Sequence, residues 1–197
     1  MHTKGFTIIE LVIAIFIISF TVVGIFAAFS IMASLTYDAT NRLTASYLGQ
    51  EGVEIVRNIR DINWLTIDKN GTGAWDAGLT GCDTTPCQGD FRENILENLG
   101  DNTYLKINPS EKFYDYSPSG APSKFIRNIY IAKLTDFDGT DSHILKVTVK
   151  VSWDQKGNIF GEGHLATECT QANCVTIIET LYDWYNYILT PEEPVTP

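Results

Sequence analysis

The residue that first asks for a chemical reason is Glu10, the single charge near the start of the apolar stretch IIELVIAIFIISF. An ionised carboxylate in a membrane helix costs about 3 kcal/mol or more, so its default reading is functional, with a cationic partner to be found. Four cysteines form two matched pairs, Cys82 with Cys87 (CDTTPC) and Cys169 with Cys174 (CTQANC). In an exported domain such pairs are expected to oxidise into two local disulfides, each pinning a loop. Four cysteines still allow three connectivities, and a four-thiolate zinc site is the sharper alternative, although its usual ligand spacings are shorter. Closing so small a loop contributes about 2–3 kcal/mol in the chain-entropy picture, which braces a loop rather than a fold.

A third group is TDFDGTDS, which sets Asp136, Asp138 and Asp141 around a glycine. Three hard oxygen ligands in a tight loop could hold calcium. The glycine is displaced from its place in the helix-loop-helix calcium signature and no closing glutamate follows, so a polar hairpin turn accounts for the same residues. For catalysis, His143 and His164 stand in no recognisable nucleophile or metal pattern, and GTGAWDAG lacks the lysine of a phosphate-binding loop. The chain is therefore expected not to be an enzyme and to carry no cofactor, calcium aside. The late aromatics Tyr182, Trp184, Tyr185 and Tyr187 could stack on a sugar or a partner, but strand alternation puts some of them inside the sheet, so core packing is the better expectation.

The elements that must position these groups follow from periodicity. Leu11 to Leu35 carries no charge, and as a helix would be roughly 37 Å long against a hydrocarbon core of about 30 Å. It is too long for the apolar region of a cleavable secretory signal. Lys4 precedes it and the first charge after it is Asp38, so the N-terminus is expected in the cytoplasm and the bulk of the chain outside. The helix is expected to continue, because Leu48, Gly52, Ile55, Ile59 and Ile62 form one stripe. Glu54 with Arg57, and Arg57 with Asp61, would pair on its solvated side, and Gly24, Gly49 and Gly52 mark weak or close-packing points.

Beyond the helix, residues 66–103 read as a long irregular connection with a short helical piece near FRENILENL, and YLKIN with FYDYS as a small hairpin. ILKVTVKVSW alternates cleanly, placing Leu145, Val147, Val149, Val151 and Trp153 on one face. With FIRNIYIAKL before it and CVTIIETLYDWYNYIL after it, a three-stranded antiparallel meander is the simple topology, covered by the long helix. The fold class is α+β: a long N-terminal helix, membrane-spanning in its first half, packed on a small antiparallel sheet. Residue ranges are 1–5 for a leader, 6–35 for the membrane or fibre-core helix and 36–64 for its amphipathic outer half. The connecting region with its hairpin takes 65–124, the sheet 125–189 and a flexible tail 190–197.

The formal net charge of −10 argues against a nucleic-acid partner. The run KGFTIIELVIAIFII resembles the N-terminal signal of type IV pilins and type II secretion pseudopilins: a short basic leader ending in glycine, then Phe, then Thr-x-x-Glu-Leu and an apolar helix. The resemblance covers about the first thirty residues. It implies that a membrane-embedded prepilin peptidase cuts between Gly5 and Phe6 and methylates the new amine of Phe6, and that Glu10 is the assembly glutamate. The freed amine would lie about one helical turn from Glu10, within reach of pairing between copies offset along their axes. It also implies other pilin subunits, an inner-membrane platform protein, an assembly ATPase and membrane lipid as partners. The product would be a subunit held in the cytoplasmic membrane and then built into an extracellular or periplasmic filament of a pilus or secretion pseudopilus. The alternative is a signal-anchored extracellular binding domain that does not polymerise.

Overall fold

The computed structural model describes residues 5, 7–92, 95–98, 103–134, 143–155 and 163–184. One long N-terminal helix and a small antiparallel sheet make up its α+β architecture. The helix, α1, runs Ile8–Asn70. Contacts divide the chain at Asn41 and Arg42 into two compact units.

In the first unit the described residues are almost all helix, and its large apolar side chains stand in the open, Ile8 at 84% and Phe20 at 75% exposure. This segment is long and apolar enough to cross a membrane. Its few hydroxyls are neutralised locally: Ser19 donates to the Ile15 carbonyl, Thr21 to Ile18, Thr36 to Met32 and Thr40 to Thr36. Each of these four hydroxyls is thereby satisfied inside the helix, as an apolar solvent requires.

In the second unit, a five-stranded antiparallel sheet has the order β4-β3-β5-β6-β7. The strands are β3 (Tyr104–Ile107), β4 (Tyr114–Asp115), β5 (Ala121–Leu134), β6 (Ile144–Trp153) and β7 (Cys174–Tyr182). The β3–β4 hairpin thus joins the expected meander on the free side of β5, extending three strands to five. A further pair, β1 (Gln88–Gly89) with β2 (Leu96–Glu97), lies where a short helical piece was expected. Leu96 there packs on the core, and pairing with Gln88 and Gly89 overrides local helix preference.

The alternation read in β6 holds: Leu145, Val147, Val149, Val151 and Trp153 are buried. Their register neighbours on β5, Ile131, Ile129, Arg127 and Phe125, continue the same face. Against it lie Ala45, Leu48, Val53, Ile55, Val56, Ile59 and Trp64 of α1. The helix comes close because it has no side chain at two points. A Cβ on Gly49 would sit 2.8 Å from Ile177, and one on Gly52 2.9 Å from Val149. Gly24 has nothing within 4 Å, so it is no packing point within the chain.

Two helix expectations need correction. Ile62 is exposed while Trp64 is buried, because a stripe spaced 4, 3, 4, 3 drifts about 20° per heptad on a 3.6-residue helix and leaves the buried face after two heptads. Arg57 does pair with Glu54, but its second partner is Glu179 of β7 at 2.9 Å, and Asp61 pairs with Arg60 instead. The Glu179 hydrogen bond is the main cause holding the Arg57 guanidinium above its ordinary pKa, and burial opposes it.

Candidate functional site

The groups singled out in the sequence lie mainly at the start of α1 and in the two disulfide loops, and the fold adds a third set, the polar residues in the core.

At the start of α1, Thr7 stands just outside the helix. Its carbonyl accepts from the Glu10 and Leu11 amides at 3.1 and 3.2 Å, and its hydroxyl oxygen lies 3.4 Å from the Glu10 amide. Thr7 is therefore the N-cap and Glu10 the third helical residue, the Thr-x-x-Glu arrangement that satisfies orphan amides at a helix start. A carboxylate in the first turn also meets the positive end of the helix dipole. Glu10 and Gly5 are exposed. Phe6, the other side of the expected cleavage point, lies outside the described residues, as do the expected calcium ligands Asp136, Asp138 and Asp141.

All four cysteines are in disulfides, Cys82–Cys87 and Cys169–Cys174, which leaves no thiolate for zinc. Each loop does a definite job. The first lies along β5 where β3 has ended: Cys87 and Ile129 exchange amide hydrogen bonds at 2.8 and 2.9 Å, and the Ile131 amide donates to the Cys82 carbonyl. The second presents the carbonyls of Gln171 and Ala172 to the Arg42 guanidinium at 2.9 and 3.0 Å. The Asn173 side chain fixes that loop by donating to the carbonyls of Trp153 and Leu165.

The core holds ionic groups that no local pattern announces. Arg127 is fully buried between sheet and helix and donates to the carbonyls of Leu48 (3.2 Å) and Gly89 (2.7 Å). Glu51 Oε1 is 3.2 Å from Arg127 Nη1, an ion-pair distance without hydrogen-bond alignment. Burial raises the pKa of the Tyr116 phenol, against the opposing charge of Arg127; its hydroxyl donates to the Arg127 carbonyl. Asp115 is buried too. Burial pushes its carboxyl up, but hydrogen bonds from Asn108 and Ser117, with the Arg92 charge, outweigh it and hold the pKa below the ordinary value.

At the far end of the sheet, buried Asp183 accepts from Trp64 Nε1 at 3.1 Å and has His143 Nδ1 at 3.4 Å. His143 therefore ties the start of β6 to the end of β7. His164 lies 3.9 Å from Glu168, in the turn before the second disulfide. Of the late aromatics, Trp184 packs edge-on against Trp64 at 4.7 Å yet is half exposed, and Tyr182 is exposed. The buried members of that stretch are Leu181 and Asp183, so neither Tyr182 nor Trp184 is an aromatic that alternation turns into the core; Tyr185 and Tyr187 lie outside the described residues.

Sequence reasoning also missed an apolar groove of about 440 Å³ beside the outer helix. Tyr47, Leu48, Phe91, Phe113 and Tyr114 line it, with Phe91 and Phe113 edge-on at 5.9 Å. Only tertiary contact brings these three stretches together. Comparison with protein-family models, curated proteins and solved structures finds no match to this chain.

Proposed function

We propose that the chain is a pilin-like structural subunit, held in the cytoplasmic membrane by its N-terminal helix with the N-terminus inside. A prepilin peptidase cuts it between Gly5 and Phe6 and methylates Phe6, and it then joins an extracellular or periplasmic filament of the type IV pilus or type II pseudopilus kind. The observation that carries this reading is the start of α1, where Glu10 stands in the first turn of a helix whose next two dozen residues are uncharged, mostly apolar and almost all exposed. Lipid and a fibre core are both dry, so such a helix moves between them with little change in apolar exposure. Glu10 then sets register by pairing with the Phe6 amine of a neighbouring copy, a use of buried charge that favours specificity over stability. The partners are the peptidase, other pilin subunits, a platform protein, an assembly ATPase and lipid; the role is structural rather than enzymatic.

The apolar groove favours a second reading, a signal-anchored extracellular domain that binds a partner there and does not polymerise. One experiment separates the two: mass spectrometry of the mature chain and of filament fractions, for the natural protein and for Glu10→Val. The proposal expects both chains to begin at methylated Phe6 and only the natural one to enter filaments. An intact leader, a cut elsewhere, or normal incorporation of Glu10→Val overturns it.

A further inference from the structure

The two edges of the five-stranded sheet are treated differently. On one side, β4 is two residues long and carries the buried charge of Asp115, and the Cys82–Cys87 loop covers the stretch of β5 that β3 leaves open. Short strands, inward charges and covering loops are the devices that stop a sheet edge from recruiting another strand. On the other side, β7 is nine residues long, CVTIIETLY, with no proline and no lysine. Its one charge, Glu179, is turned toward α1 and paired with Arg57. Among the described residues β7 is the last strand of the sheet.

The register tells which backbone groups face outward. The Trp153 amide bonds the Asn173 carbonyl and the Asp183 amide bonds the His143 carbonyl, so the odd-numbered residues of β7 spend their amides and carbonyls on β6. Antiparallel pairing alternates, so the even-numbered ones point theirs away. These are Thr176, Ile178, Thr180 and Tyr182, whose side chains are also exposed, Ile178 at 58%. Among the described residues nothing pairs with this edge, which offers outward hydrogen-bonding groups and uncharged, strand-favouring side chains at the same positions.

We propose that this edge docks a second copy of itself, with two β7 strands joining antiparallel about Ile178. Outward groups meet outward groups in that register: Ile178 faces Ile178 of the other copy, and each Thr176 faces a Thr180. Apolar and Thr–Thr pairs of this kind are favourable across strands. Glu179 falls opposite Ile177, whereas a parallel, in-register pairing would set the two Glu179 residues side by side. The edge is neutral on a chain of net charge −10, so it is a place where two copies can approach without direct repulsion.

Gly49 lies against Ile177, Arg57 reaches Glu179 and Trp64 reaches Asp183, so residues 49–64 of α1 run in the same direction as β7. Antiparallel β7 strands therefore bring these helical stretches of the two copies antiparallel as well.

The test uses the full chain in detergent micelles, followed by sedimentation equilibrium and amide-resolved hydrogen exchange over a range of concentrations. A monomer–dimer equilibrium is expected, with the Thr176, Ile178 and Thr180 amides protected only where dimer is present. Ile178→Pro removes an outward amide that the chain's own sheet does not use, and should weaken association roughly tenfold or more, since each copy loses a hydrogen bond. Ile178→Lys, an edge-blocking charge that leaves the backbone intact, should do the same. The proposal is overturned by a chain that stays monomeric, by a dimer indifferent to both substitutions, or by protection of these amides that does not depend on concentration. Because no cleavage or fibre is needed, failure here leaves the subunit reading standing, and an uncut leader leaves this one standing.

Discussion

Two stretches of α1 share one backbone geometry and differ in almost everything else. Residues 11–32 are uncharged, carry large apolar side chains on every side and stand bare, whereas residues 42–64 are apolar on one face, which is buried in the core of the second unit. A helix apolar all round needs an apolar surrounding, and a one-sided helix needs a partner surface. The glycines show the same division. Gly52 has a Cβ-sized gap filled by Val149 and Arg127, while Gly24 has open space. The lesson is that helical propensity runs through both stretches unchanged, and burial is decided by what the side chains meet.

Three substitutions or conditions would sharpen or break that contrast, in falling order of effect. Arg127→Ala should destabilise the second unit by about 2–4 kcal/mol, because it leaves the carbonyls of Leu48 and Gly89 without their donor in the core and takes the cation from the half-buried Glu51. Urea unfolding followed by the buried Trp153 and Trp64 would measure it, and a loss under 1 kcal/mol would show the pocket to be wet.

Gly52→Val should cost about 1–3 kcal/mol by overpacking. The obstacle is the stiff, buried, β-branched Val149 with Arg127 Cδ 3.2 Å away. Gly24→Val should leave the urea midpoint of the second unit where it was. Equal effects from the two would erase the distinction between the stretches.

The smallest effect is a pH dependence. The Asp115 carboxyl has a folded pKa below its unfolded value of about 3.9. The unfolded chain therefore takes up this proton first as the pH drops, and the stability Asp115 contributes, complete above that value, is lost as the pH falls through the folded pKa. Urea midpoints measured from pH 6 downward should fall less steeply for Asp115→Asn than for the natural chain. Parallel curves would mean that other carboxylates carry the acid sensitivity.

Much of the fold was legible where the signal is local. The alternation of ILKVTVKVSW, the helix expected to end at residue 64 and the two disulfide pairs all depend on neighbours within a few residues, and all appear in the structure, the helix running six residues further, to Asn70. What was missed depends on residues far apart in the chain. Glu179 finds Arg57 at a sequence separation of 122, and Leu96 becomes a strand only because Gly89 lies beside it. The hairpin at Tyr104–Asp115 was visible as a hairpin, but nothing in it says that its first strand pairs with β5.

By itself the sequence determined the long helix and the main strands, the apolar face of β6, and that a carboxylate stands at the head of an apolar helix. These follow from periodicity and from the cost of burying a charge, both properties of the chain read a turn or two at a time. Only the tertiary structure decided that Arg127 is sealed in the core, that one sheet edge is covered while β7 ends the sheet among the described residues, and that Tyr47, Phe91 and Phe113 share a groove. Each of those depends on a contact whose other half lies tens of residues away, and residue spacing carries no information about which distant surfaces will meet.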